Sequence, residues 1–404
     1  SFLTISLSDF GKAFDKCLSK GHMDPSDVPG FSHGHRSLPR FLGGFLDQVF
    51  CPSTGLLRDC PSIDAIFAVR QLTYMFAKIE LPCAQHRVDS AFAGYISLED
   101  ELSKRPVLDS KIASQFTRIR TLLFGDIFSE LDREVRSEST LIGKHGPGKT
   151  ADRRENNDKW NFRSWHQRLE DSFFPFGEYG VLNYRWSQEL HENIEFIEPE
   201  DEPPVRVVAV PKTLKTPRII AIEPTCMQFV QQAIFNSIVE KLESRFIDLT
   251  EAIPASFASD GPYRVANPAY GFLGFTDQLP NQNMARFGSV TGSLATLDLS
   301  EASDRVLNSH VKLLFADWPD LGHAIQATRS SKANVQGQII HLTKYASMGS
   351  ALCFPIEAMV FLTIVFLGIE RAQKRPLTHG DISRLRGTVR VYGDDIIVPV
   401  HYVR

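Results

Sequence analysis

A chain of 404 residues, 43% hydrophobic and 23% charged, has ordinary globular composition and is long enough for two or three lobes around substantial cores, which excludes a disordered tail. Its formal net charge of -4 excludes a globally basic surface, so any nucleic-acid path has to be a local basic groove. The six cysteines (Cys17, Cys51, Cys60, Cys83, Cys226, Cys353) lack zinc-ligand spacing and disulfide-scaffold density, and read as free thiols in a reducing compartment.

The chain opens SFLTISLSDF, without Met and without a basic, apolar, small-residue signal pattern, so a processed or partial chain is expected and nothing suggests secretion. Residues 1–140 read as a mainly helical region, on patterns such as Ile63 to Pro82 and Ser114 to Val135. Lys144 to Arg168 is polar and basic. It includes the end of Gly143 to Thr150, which satisfies the phosphate-loop pattern G-x-x-x-x-G-K-T. A genuine phosphate loop follows an apolar strand and opens an amphipathic helix, whereas the flanks here are RSESTLI and ADRRENNDKW, so an ATPase site is not expected.

The acidic, proline-rich stretch Glu195 to Pro204 reads as a surface linker. A strand-like run follows at Arg206 to Pro211, and helical and β-branched segments then alternate up to a hairpin at Val389 to Val400. The apolar run Phe354 to Ile369 falls short of the roughly 20 residues a bilayer requires. It also carries Pro355 and Glu357, so it reads as a buried core helix.

Four segments carry chemistry. In Tyr392-Gly393-Asp394-Asp395, β-branched flanks make two strands and Gly-Asp makes a two-residue turn, so two carboxylates sit at a hairpin tip. Alone, such a motif is more often a solvated turn. Ala295 to Asp304 ends a short apolar strand in Asp298, which can face the hairpin acids from an adjacent strand, with Asp304 beyond a Ser/Ala-rich turn. Nucleotidyl transfer to a ribose 3′-hydroxyl uses two divalent ions about 4 Å apart. Asp298, Asp394 and Asp395 are hard oxygen ligands that suit Mg²⁺, with Mn²⁺ or Ca²⁺ able to substitute in binding.

Asp304 reads either as a helix N-terminal acid or as a carboxylate that accepts a hydrogen bond from a ribose 2′-hydroxyl. Lys212, Lys215 and Arg218, between prolines and a strand, form a positive rail for a triphosphate or a solvated basic loop. In Ala346 to Leu352, Gly349 permits close backbone approach to a template base or ribose, and Ser347 and Ser350 offer hydroxyls to the sugar.

Together the series VPKTLKTPRIIAIEPTCMQFVQQAI, TDQLPNQNMARFGSVTGSLATLDLSEASDRV, SMGSALCFPIEAMVF and VYGDD resembles the replicase β-subunit of the single-stranded RNA bacteriophages, over Val210 to Val398. The likeness is weaker in RQLTYMFAKIELP and HGPGKTADR. The resemblance implies an α+β right-hand polymerase, with fingers and a palm whose antiparallel ferredoxin-like sheet is flanked by helices. On that reading 141–290 is fingers and 291–404 is palm. It also implies RNA-dependent RNA synthesis on a phage genome. Asp298, Asp394 and Asp395 would be metal ligands. Asp304 would read the ribose, with Gly349 and Ser350 in the template-side loop. Lys212, Lys215 and Arg218 would contact the triphosphate, and Lys144, Lys149, Arg153 and Arg154 the RNA backbone.

The implied partners are single-stranded RNA template and nascent RNA, ribonucleoside triphosphates, host translation elongation factors and a host ribosomal protein, without a membrane, in the cytoplasm of the infected bacterium. Because the sequence stops at Arg404, soon after Asp395, the thumb is expected to be largely missing from this chain, and poor divalent-metal binding with weak or no polymerisation is expected of the chain alone. The rival expectations are a reverse transcriptase and a non-catalytic RNA-binding relic of the palm.

Overall fold

The computed structural model describes residues 2–34, 36–75, 82–137, 141–181, 193–213, 215–249 and 263–403. Packing divides the chain into two compact units, Ser1–Gly94 with Ala209–Ile219, and Tyr95–Val208 with Ile220–Arg404. This partition follows contacts and does not coincide with the compositional divisions near 140 and 290.

In the first unit, α1 (Phe2–Lys20) places Phe10, Phe14 and Cys17 on one face, where they pack with Met23, Leu46, Val49 and Phe50. Helix α2 (Ile63–Tyr74) starts where the Ser62 hydroxyl accepts the Ala65 amide, and buries Ala65, Val69 and Thr73 at four-residue intervals. The helical pattern read to Pro82 is thus observed as far as Tyr74, and residues 76–81 lie outside the described residues. Helix α3 (Gln85–Ser103) begins in this unit and continues into the second.

The second unit contains three long helices. In α4 (Ser110–Glu134) a stripe from Phe116 through Ile119, Leu123, Phe124, Ile127 and Phe128 to Leu131 is buried. Phe128 meets Phe315 and Trp318 with ring centroids 4.9 and 5.0 Å apart. Then come the parallel pair β1 (Ser164–His166) and β2 (Glu195–Ile197), followed by β3 (Val205–Val210), β4 (Arg218–Ile222) and α5 (Thr225–Glu243). The antiparallel pair β5 (Phe246–Asp248) and β6 (Arg264–Ala266) precedes α6 (Leu279–Thr291) and β7 (Leu294–Leu297).

Helices α7 (Asn308–Leu314) and α8 (Pro319–Ala327) lead to the hairpin β8 (Lys332–Val335) and β9 (Gln338–His341). The chain then enters α9 (Cys353–Gln373), α10 (His379–Arg384), β10 (Arg390–Tyr392) and β11 (Asp395–Pro399). Strand order is β10-β11-β7 in one sheet and β4-β3-β8-β9 in another. Helix α9 is long and apolar enough to cross a membrane by composition, yet most of it lies in the core, as the proline and glutamate inside it led us to expect. The six cysteines are unpaired.

The stretch Glu195 to Pro204 lies partly at the surface, with Glu198 to Asp201 exposed, but it is not merely a linker. Its first residues form β2, paired in parallel with β1 from Ser164↔Glu195, and Glu202 is buried, accepting from Arg168 Nε at 2.5 Å. Composition counts charges but cannot see the partner that lets an acid be buried.

The phosphate-loop pattern is likewise absorbed structurally. Lys149 pairs with Glu155, and the buried Thr150 hydroxyl accepts from the Arg154 amide and lies 2.8 Å from the Thr225 hydroxyl. The next element is the short 3-10 turn Asn156–Trp160 rather than an amphipathic helix. Asp152 caps α5 from outside: its carboxylate accepts the Thr225 amide at 3.1 Å and the Thr225 hydroxyl at 2.7 Å. Asp152→Ala leaves a helix-terminal amide without that acceptor and is expected to cost about 1–2 kcal/mol, read as a lower denaturation midpoint with an unchanged m-value.

Two imidazoles are held neutral. Burial, reinforced by Arg168, pushes His166 down to about 4, and burial with Lys159 does the same to His145, which is ringed by Trp160, Phe162 and Phe229. Each pKa is lower in the folded state than in the unfolded chain, so its stabilising contribution is complete above the ordinary histidine value and is lost as pH falls toward 4. For His166, 1% exposed, the loss is roughly 3 kcal/mol across that window. Melting curves from pH 7 to 4.5 should fall more steeply for the wild-type chain than for His166→Asn. Parallel curves would remove His166 as the cause.

Candidate active site

The hairpin at the end of the chain is built as its residues require. Tyr392 pairs with Asp395, which leaves Gly393-Asp394 as the two-residue turn, with a positive φ of 62° at Gly393. A Cβ on Gly393 would lie 2.2 Å from the Phe354 ring and 3.3 Å from Glu357 Oε1, so glycine is also what lets the tip sit on α9.

Strand β7 lies alongside β11, antiparallel, with Ile396↔Leu297 and Ile397↔Thr296. One step further, the register sets Asp298 across from Asp395, next to Asp394 in the turn. All three acids are exposed, whereas Ile396, Ile397 and Val398 behind them are buried. Asp395 accepts a hydrogen bond from Gln278 Nε2 at 3.0 Å, and its carbonyl accepts one from Asn281. Exposed carboxylates on neighbouring strand ends form a donor set suited to a hard divalent cation. Among the described residues, no three Asp, Glu, His or Cys side chains are gathered tightly enough to enclose one.

Beneath this edge is a buried ionic cluster that the sequence reading missed. Lys344, 0% exposed, has its Nζ 2.9 Å from Asp304 Oδ1 and 3.2 Å from Glu99 Oε1, and stands 3.5 Å from the centroid of the Tyr95 ring. Burial pulls its pKa down, but Asp304, Tyr95 and Glu99 outweigh burial and leave it above the usual lysine value. Tyr95 hydrogen-bonds the buried Ser347 hydroxyl at 2.9 Å. Glu357, on α9 under Gly393, is pushed up to about 8 by burial and by the charges of Asp394 and Asp304. Its presence in an apolar helix was the visible signal, while Lys344 in LTKYASMG carried none.

The other expected site residues fall in different surroundings. Gly349, at φ 124°, approaches backbone closely, but that backbone is the protein's own: an added Cβ would lie 2.0 Å from the Ala221 oxygen. Ser350 Oγ donates to Gln231 Oε1 at 3.1 Å. Lys144, Lys149 and Arg153 are exposed. Arg154 is buried, with its guanidinium held by Asp158 at 2.8 Å. Lys212, Lys215 and Arg218 belong to the first unit, all exposed, with Lys215 paired to Asp9 at 2.9 Å.

The stretch that contains the hairpin, β7 and α9 is also the stretch that known proteins share. Residues 273–404 match the family model described as RNA replicase, beta-chain. The chain resembles the RNA-phage replicases. It is 31% identical over 245 residues to the RNA-directed RNA polymerase subunit beta of Escherichia virus Qbeta, covering 60% of this chain and 34% of that protein. It is 32% identical over 193 residues to the RNA-directed RNA polymerase beta chain of Escherichia phage MS2, covering 48% and 28%. For the corresponding subunit of Enterobacteria phage SP, identity is 33% over 195 residues, covering 48% and 27%. The matched stretch therefore spans about a third or less of each of these relatives.

Proposed function

We propose that this chain carries catalytic elements of an RNA-directed RNA polymerase that copies a single-stranded phage RNA. The observation that carries this reading is the strand register that faces Asp298 with Asp395 beside the Gly393-Asp394 turn, within the stretch shared with RNA replicase β-chains. On this reading β7, β10 and β11 with α9 are the palm, and the residues before them supply fingers.

Asp298, Asp394 and Asp395 would hold two Mg²⁺ ions. When bound, these supply charge neutralisation at the leaving pyrophosphate and a lowered pKa for the attacking 3′-hydroxyl. The chain's own part is to display the three carboxylates on one edge and to keep Gln278 on Asp395, which fixes that side chain's rotamer. Asp304 and Ser347 read the ribose. Lys212, Lys215 and Arg218 as triphosphate contacts, and Lys144, Lys149 and Arg153 as RNA-backbone contacts, are supported by the motifs and their exposure. Host elongation factors, a host ribosomal protein and the cytoplasm of an infected bacterium belong to the same proposal through the resemblance.

The test is incorporation of labelled ribonucleotides on a single-stranded RNA template with Mg²⁺ by the protein that carries this chain. Template-dependent ribonucleotide product is expected. Deoxyribonucleotide product instead would make it a reverse transcriptase, and RNA binding without product would reduce it to a non-catalytic RNA-binding protein.

A further inference from the structure

An ammonium group taken wholly out of water is costly, and a fold retains one where its charge is balanced and its position matters. Lys344 is such a group, and what it touches is informative. Of the three ionised partners in the cluster, Lys344 and Glu99 have side chains 0% and 6% exposed, while Asp304 is the outward end at 14%.

The lysine approaches Asp304 through Oδ1, at 2.9 Å. The approaches to Asp304 and Glu99 have ion-pair distances but not hydrogen-bond alignment, so Lys344 acts on both as a point charge. On its other side the ammonium rests on the face of Tyr95, whose hydroxyl holds Ser347.

The lysine is itself fixed from behind. Arg329 donates to the carbonyls of Leu342, Lys344 and Tyr345 at 2.6, 2.8 and 2.9 Å, and Glu99 accepts the Thr343 amide at 2.6 Å. A rigid segment thus carries one cation that reaches both groups assigned to the sugar, one directly and one through an aromatic ring.

We infer that Lys344 is a positioning residue for ribose selection, holding the Asp304 carboxylate directly and the Ser347 hydroxyl through Tyr95 so that both present to the 2′-hydroxyl of an incoming ribonucleotide. The inference rests on the polymerase reading and deepens it. Lys344 does not touch the nucleotide. Its effect depends on whether the substrate has a 2′-hydroxyl, since a deoxy substrate gains nothing from a well-placed Asp304.

The experiment compares KM and kcat for a ribonucleoside triphosphate and its 2′-deoxy counterpart in the wild type, Tyr95→Phe, and the double variant Glu99→Gln with Lys344→Met. The double variant removes one positive and one negative charge, so the net charge of the cluster is kept while the positioning cation is lost. A thermal melt establishes that each variant is folded. Expected is a rise of about tenfold in KM for the ribonucleotide in the double variant, little change for the deoxynucleotide, and kcat nearly unchanged, so that discrimination falls about tenfold. Tyr95→Phe, which frees Ser347 but leaves Lys344 on Asp304, should lose a smaller part of it.

Equal losses on both substrates, or unchanged discrimination in a folded double variant, overturns the inference while leaving the polymerase reading in place. A double variant that does not fold leaves Tyr95→Phe to decide, and unaltered discrimination there overturns the inference as well. A wild type that makes no product removes the polymerase reading and this inference with it.

Discussion

Asp394→Asn is expected to lower RNA-templated ribonucleotide incorporation by on the order of 1,000-fold, equivalent to ~4 kcal/mol of transition-state stabilisation. The substitution keeps the shape of the turn, because Asn tolerates the same backbone and Gly393 alone carries the positive φ. It removes one full negative charge from the exposed edge where Asp298 and Asp395 face each other. The loss should appear in kcat, while RNA affinity stays within a factor of about two, since the proposed phosphate contacts are cations elsewhere. Asp298→Asn should behave in the same way. Variants that retained at least a tenth of wild-type synthesis would exclude these two acids as the metal-holding pair.

The parts of the fold that were legible from sequence are those fixed by neighbours along the chain. Buried positions three and four apart marked α4, and Gly-Asp between β-branched runs marked the β10–β11 hairpin, its two-residue turn to the residue. The facing of Asp298 by the hairpin acids was also legible, because an acid that ends a short apolar strand can meet the end of an adjacent strand.

The illegible parts depend on partners remote in sequence. Glu202 looked like a solvated acid in a linker because Arg168, which covers it, lies 34 residues earlier. Lys344 looked like any loop cation, since its partners lie on two other stretches of chain, Tyr95 and Glu99 together on α3 and Asp304 far from both. Gly349 was recognised as a point of close approach, but the approaching backbone proved to be β4, a pairing no local pattern encodes.

That last contact carries the second large effect. Gly349 has a φ of 124°, a region that residues with a Cβ rarely adopt, and the Cβ of an alanine there would stand 2.0 Å from the Ala221 oxygen, 2.8 Å from its carbonyl carbon and 3.1 Å from Ile220 Cγ2. The obstacle is backbone, pinned in turn by the Ala221 amide donating to the Met348 carbonyl at 2.8 Å, so it cannot swing aside as a flexible side chain would. Gly349→Ala therefore has to break that hydrogen bond or shift β4, and should destabilise the fold by ~3 kcal/mol or more.

Gly337→Ala is the matched comparison: φ is 93°, also in the glycine region, but an added Cβ meets no heavy atom within 4 Å. It should cost only the backbone term, ~1 kcal/mol. The difference between the two in denaturant unfolding isolates the approach of the loop to β4. Equal costs for the two variants would mean that β4 yields and that the Ser347–Ser350 loop is not locked to it. A large difference would mean that the loop's backbone is fixed before any nucleotide arrives, so that on the proposed reading Ser347, at one end of it, needs no ordering at the moment of binding.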